Sequence, residues 1–181
     1  MNNLAFARSG WYEQVDPRQV LDDYLLGAYG TAGEPLRPIF EGMLQAMHQW
    51  TRGQTNLLPN AENVRTFLDV KHRPAIQRAL AAARTAATDD RQRRQVERLA
   101  SAVRYWEKAA DLLELRAEAG RLQRSDRQTA RALLERAVQQ EWPRLREHLQ
   151  SMPPGWLGVR TPSRWSRSVD DMLQTAEKLR Q

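Results

Sequence analysis

Residues 91–120 read RQRRQVERLASAVRYWEKAADLLELRAEAG. Within this stretch Val96, Leu99, Val103, Trp106, Ala110, Leu113 and Ala117 recur at alternating steps of three and four. That spacing follows a helical turn of about 3.6 residues and puts the seven side chains on one seam, so it predicts a long helix lying against a neighbour and ended by Gly120. No run of alternating polar and apolar residues argues for a strand anywhere else. The expected fold is all-α.

The flanking segments repeat the pattern, with caps and prolines as punctuation. Asp16-Pro17 reads as an N-cap followed by proline at the first helical position, and Val20, Leu21, Tyr24, Leu25 and Ala28 recur on one face as far as Gly30. Leu36, Ile39, Phe40, Met43, Leu44, Met47 and Trp50 make a second stripe that opens near Pro35 and stops at Arg52-Gly53. Gln54–Asn60 is aperiodic, and Asn60 is placed to cap a short helix carrying Val64, Phe67 and Leu68. Ile76, Leu80, Ala83 and Ala87 follow Pro74 and form an antiparallel hairpin with the long helix across Thr88-Asp89-Asp90. Ser125 and Gln128 have the spacing of a capping box ahead of Ala130, Leu133, Leu134, Ala137, Val138 and Leu145, and Pro143 is expected to kink or restart that helix. Pro153, Pro154, Gly155, Gly158 and Pro162 mark residues 151–167 as an irregular Trp/Pro-rich strap, and a terminal helix is expected over 168–181. The expectation is thus a bundle of about six to seven helices over 16–150, closed by the strap and the terminal helix.

The chain has 181 residues, one domain's length, with 41% hydrophobic and 28% charged residues, the balance of a folded protein. Cysteine is absent, which removes disulfides, thiolate metal sites and cysteine nucleophiles. Of 28 basic residues only Lys71, Lys108 and Lys178 are lysines. Residues 1–90 hold 9 basic and 10 acidic groups, whereas residues 91–181 hold 19 and 12, so the net charge of +6 resides in the second half. The N-terminal sequence lacks the basic-then-apolar build of a secretory signal, and no run approaches the roughly 20 apolar residues of a spanning helix. A cytoplasmic location is expected if the chain is a complete product, and no membrane partner is expected.

Several constellations bear on chemistry. Gly27, Gly30 and Gly33 imitate a phosphate loop, but a helix precedes them and no strand does, so a helix end and a tight inter-helix turn is the favoured reading. His48, His72 and His148 stand on separate helices without ligand spacing, so neither a metal nor a cofactor is expected. Asp22-Asp23 are adjacent on a helix and point apart, which is unsuited to a hydrolytic carboxylate pair facing across about 5 to 9.5 Å. No G-x-S-x-G elbow occurs. No catalytic residue is therefore assigned. Arg91, Arg93, Arg94, Arg160, Arg164 and Arg167, with Trp156 and Trp165, compose a basic and aromatic set suited to phosphates and bases, which makes a free-standing nucleic-acid or protein-binding module the alternative function. Trp50 and Trp106 lie on apolar stripes and are expected to be structural.

Another class of reading comes from a resemblance. Met1–Gly10, Trp11, Asp16-Pro17, Val20-Leu21-Asp22-Asp23-Tyr24, Tyr29-Gly30-Thr31-Ala32 and Pro35-Leu36-Arg37 resemble the junction between catalytic barrel and C-terminal helical domain in a bacterial family of unknown function built like α-glucuronidase and β-hexosaminidase glycoside hydrolases. The hairpin from Pro74 to Leu115, with Tyr105-Trp106 in its second arm, resembles the long antiparallel pair that follows there. Ala28 replaces the first tyrosine of the family's Tyr-Tyr-Gly turn, and the interval from Trp11 to Asp16 is longer than the family's. The resemblance implies that residues 1–15 are the remnant of a barrel's end and 16–181 a non-catalytic accessory domain of a carbohydrate-active parent, which would be secreted or intracellular with its barrel. It implies Asn2, Asn3 and Trp11 at the rim of a glycan cleft. The implied partners are the parent's barrel, a glycan and a second copy of the chain.

Overall fold

The computed structural model describes residues 16–51, 71–152 and 163–180. All described elements are helical: α1 (Pro17–Tyr29), a 3-10 turn (Gly30–Ala32), α2 (Gly33–Thr51), α3 (Arg73–Ala86), α4 (Asp90–Leu122), α5 (Arg127–Arg136), a π turn (Ala137–Glu141), α6 (Trp142–Ser151) and α7 (Ser163–Lys178). The two turns run on into the helices they join, so the described residues fall into five helical stretches. The short helix expected after Asn60 and the core of the strap, residues 153–162, lie outside the described residues. Residues 16–51 and 71–100 belong to one compact unit, and residues 101–152 and 163–180 to a second.

In the first unit Asp16 caps α1 by accepting from the Arg18 N–H at 2.9 Å, and Pro17 follows with a backbone angle preset for the helix. Val20, Leu21, Leu25 and Tyr29 are buried. The helix ends where Gly30 turns to a φ of 57° and donates its N–H to the Leu26 carbonyl, a conformation that penalises any side chain. Three residues on, Gly33 starts α2 so close to α1 that a Cβ there would lie 2.7 Å from the Leu25 carbonyl oxygen. The glycine spacing is thus a helix end and a tight turn. Leu36, Ile39 and Phe40 of α2 are buried, and α2 packs on both α1 and α3, whose Ile76, Leu80 and Ala83 face inward. The rings of Tyr24, Tyr29 and Phe40 meet edge-on or tilted at centroid distances of 5.4 to 6.1 Å, the offset arrangement that aromatic quadrupoles favour.

In the second unit Leu112, Ala119, Ala130, Leu134, Val169 and Met172 form one apolar cluster. Tyr105, Ala109 and Leu145 form another, covered by Trp106, Trp142, Trp165 and Met152. Trp106 is structural, as its stripe predicts. Past residue 103 the seam of α4 keeps Ala110 buried, as expected, but differs at its larger residues. Tyr105, Ala109 and Leu112 are buried, whereas Trp106 and Leu113, on the predicted seam, are only half-buried. A neighbour on another side of the helix moves the buried stripe by one position, which a single-seam reading cannot anticipate.

Two helix starts also differ. The cap of α5 is Asp126, whose carboxylate accepts from the Thr129 N–H at 3.0 Å and the Thr129 hydroxyl at 2.6 Å, so Ser125 and Gln128 are not the capping pair. The terminal helix, expected from Ser168, begins at Ser163, directly after Pro162. Trp165 precedes Val169 by four positions and extends the stripe of Val169, Met172, Ala176 and Leu179, which accounts for the earlier start. Pro143 does restart its helix. The π turn before it carries a bond from the Trp142 N–H to the Ala137 carbonyl, one residue wider than an α turn, and the proline ring enters the second position of α6, where no N–H is required.

Alanine at Gly27, where a new Cβ meets nothing within 4 Å, should stabilise the fold by about 0.5–1 kcal/mol. Alanine at Gly33 should destabilise it by roughly 1–3 kcal/mol, and Leu112→Ala by about 2–5 kcal/mol, all three read from urea unfolding. The Thr129 hydroxyl and N–H together hold the Asp126 carboxyl below its ordinary value of 3.8. The unfolded chain therefore takes up that proton more readily, so the stabilisation is present above the ordinary value and is lost as pH falls through the folded one. Asp126→Asn, which keeps an acceptor without the charge, should flatten the acid limb of the unfolding midpoint against pH.

Candidate functional site

The polar groups of the first unit converge where the α1–α2 corner meets the α3–α4 turn. Asp89 begins α4 by accepting from the Gln92 N–H at 2.8 Å. The Gln92 amide returns the contact, its Nε2 donating to Asp89 at 3.1 Å, while its Oε1 accepts from the Thr88 N–H at 3.1 Å. This resembles a capping box written with Asp and Gln, except that the glutamine reaches back to the Thr88 N–H in place of the Asp89 N–H. The Thr31 hydroxyl lies 2.7 Å from the Ala86 carbonyl oxygen and 2.8 Å from Gln92 Oε1, so its one proton serves either acceptor. Gly30 approaches the same amide closely enough that a Cβ would lie 2.5 Å from Gln92 Nε2. Arg91 donates from Nη2 to the Gly27 carbonyl at 2.8 Å, placing a cation at the negative end of the α1 dipole.

A second polar knot joins α1 to α2. Arg37 grips Glu34 through Nε and Nη2, at 3.2 and 3.0 Å to Oε2, and reaches Asp22 through Nη1 at 2.6 Å. Its pKa is pushed further up by the hydrogen bonds to Glu34 and then to Asp22, so the guanidinium stays charged under all ordinary conditions. Asp22 is thereby turned to a guanidinium and not to a substrate cleft.

The basic set predicted for nucleic acid is distributed as follows. Arg91 is engaged by Gly27, Arg93 pairs with Asp90 at 2.9 Å, and Arg94 is exposed. Arg167 is exposed on α7, in the other unit. Arg160 and the side chain of Arg164 lie outside the described residues, as do Asn2, Asn3 and Trp11, the predicted rim of a glycan cleft. Trp165 is not a free stacking platform: it is half-buried in the second unit and donates from Nε1 to the Tyr105 hydroxyl at 3.3 Å.

His148 Nε2 sits 2.9 Å from the Ser101 carbonyl oxygen, which assigns the proton to Nε2 and makes this histidine a strut between α6 and α4. Among the described residues no three of His, Asp and Glu assemble as a metal-binding group, and no helix is long and apolar enough to cross a membrane. Sequence reasoning missed Gln92, Thr31 and Arg37 as organisers. The Asp-x-x-Gln spacing at Asp89 was the available signal for Gln92. Nothing local marks Thr31, whose partner Ala86 lies 55 residues away; Arg37 has a local partner in Glu34, three residues back, and a distant one in Asp22, 15 residues away.

No protein-family model matches the chain, and no curated protein or solved structure is detectably similar to it.

Truncating Gln92 to Ala leaves the Thr88 N–H, Thr31 and Asp89 without their shared partner, and the loss is expected to be about 1–3 kcal/mol in chemical unfolding. Phe40→Ala removes the ring that both tyrosines lean on and should cost about 3–5 kcal/mol in the same measurement.

Proposed function

We propose that this chain is a non-catalytic helical accessory domain that buttresses the barrel of a glycoside-hydrolase-like parent. One observation carries the reading. The residues shared with that family's junction are engaged with one another: Asp22 with Arg37, Tyr24 with Tyr29, and Gly30 and Thr31 with the α3–α4 turn. A sequence pattern whose members hold a helical corner together is a pattern for shape. It fixes the angle at which α1, and whatever precedes it, leaves the bundle.

In this reading residues 1–15 continue into the barrel's last helix, Asn2, Asn3 and Trp11 stand at a glycan cleft formed with it, and a second copy of the chain supplies a dimer contact. Over the full chain the helices number six to seven, and the Trp/Pro-rich segment acts as a strap.

The test is enzymatic and genetic together. The purified chain should release no chromophore from aryl α-glucuronides or aryl β-N-acetylhexosaminides above the buffer rate, and the reading frame ahead of the Met1 codon should encode a barrel. Turnover that one carboxylate substitution abolishes would overturn the non-catalytic role. A preceding frame without a barrel would remove the parent.

A further inference from the structure

The second unit carries an open surface depression of about 480 Å³ lined by Gln123, Arg124, Arg127, Thr175, Lys178 and Leu179, whose three cations are exposed. It lies where the end of α4 and the start of α5 meet the last turn of α7. Three of its six lining residues are cations and none is acidic. The nearby carboxylates are committed elsewhere. Asp126 takes both donors of Thr129, Glu135 takes Arg131 at 2.8 Å and Arg180 at 3.4 Å, and Glu177 takes Arg180 at 3.3 Å. Among the described residues Arg124, Arg127 and Lys178 make no ion pair, whereas Arg37, Arg84, Arg93, Arg121, Arg131, Arg144 and Arg180 all do. One cation is also held in place. Arg127 donates from Nη2 to the Lys178 carbonyl at 3.4 Å, at the negative end of α7, and keeps its remaining donors for a ligand.

We infer that this depression binds a compact diphosphate group carried by a small molecule. Two arginine forks and one ammonium are the donor set that suits phosphoryl oxygens, the forks by paired N–H bonds and the ammonium as a point charge. One phosphoryl group carries about −2 at most, short of three cations, and two adjacent groups complete the neutralisation. The start of α5 is already capped by Asp126, so side chains and not the helix end hold the ligand. Three cations confined to one depression match a short anion, and an extended nucleic-acid backbone is an outcome that the test distinguishes.

The site stands independently of the accessory-domain reading. Its test is calorimetric titration of the full chain with inorganic pyrophosphate in low-salt buffer, with orthophosphate and a single-stranded oligonucleotide as parallel arms. Saturable one-to-one binding of pyrophosphate, tighter than orthophosphate and weakened by salt, is the expected result. Arg124→Gln and Lys178→Gln should each weaken it about tenfold, the loss expected for one charge-assisted hydrogen bond, with unchanged circular dichroism and melting. Arg94→Gln, an exposed arginine of the first unit, should leave it unaltered. No saturable heat, or equal weakening by Arg94→Gln, overturns the site. Orthophosphate binding as tightly as pyrophosphate overturns the diphosphate assignment, and an oligonucleotide that displaces pyrophosphate and loses affinity in the same variants assigns the depression to nucleic acid instead.

Discussion

The Gln92 side-chain amide is the contact on which the first unit is organised. Four elements end or begin within reach of it: α1 at Gly30, the 3-10 turn at Thr31, α3 at Ala86 and α4 at Asp89. Helix ends leave backbone donors and acceptors without intrahelical partners, and packing ends together concentrates that deficit in one place. The Gln92 amide answers part of it, its Oε1 accepting the Thr88 N–H and its Nε2 holding the Asp89 carboxylate that caps α4, provided the backbone opposite can come close. Gly30 permits that approach, because a Cβ there would lie 2.5 Å from Gln92 Nε2. The glycine and the glutamine are thus two halves of one constraint.

The second unit solves a different problem. Its helices meet through apolar surface, with Leu112, Leu145 and Met172 all but excluded from solvent. Tryptophan fills the wider gaps. Trp106, Trp142 and Trp165 cover Leu145, and the bond from Trp165 to the Tyr105 hydroxyl gives a buried indole N–H the partner it needs. The π turn before Pro143 belongs to the same solution. It accommodates the proline without ending the helical stretch, and it keeps Ala137 and Leu145 both inward across the register change.

How far the amino-acid pattern foretold this depends on the range of the interaction. Periodicity found the helices, because burial of one face is a local rule that each helix obeys for itself. It located Val20, Leu21, Leu25, Leu36, Ile39 and Phe40 correctly. It failed where a helix has neighbours on more than one side, as with Leu112 against Leu113, since the stripe then follows the neighbours and not the turn. Caps were read unevenly: Asp126 and not Ser125 opens α5, since both types serve as caps and the choice rests on which carboxylate or hydroxyl reaches the third N–H, whereas α7 begins at Ser163, five residues before the expected Ser168. Thr31 with Ala86, and Arg37 with Asp22, act through partners distant in sequence that no spacing rule reaches, whereas Gln92 also engages Asp89 and Thr88 within one turn.

The charge pattern gains a physical meaning from the same distinction. The arginine surplus of the second half admits a nucleic-acid partner only as the alternative function, carried by a named set of arginines. The structure divides those arginines by what faces them. Arg93, Arg121, Arg131, Arg144 and Arg180 are neutralised by carboxylates three to seven residues away or across a helix contact, and Arg91 by a helix end. Exposed pairs of this kind add little stability, but they do remove charge from the field that a ligand meets. What remains is local: where cations share a depression and carboxylates are turned elsewhere, as at Arg124, Arg127 and Lys178, attraction is concentrated enough to select a small anion. Net charge therefore describes this protein poorly, and the partition of its arginines describes it well.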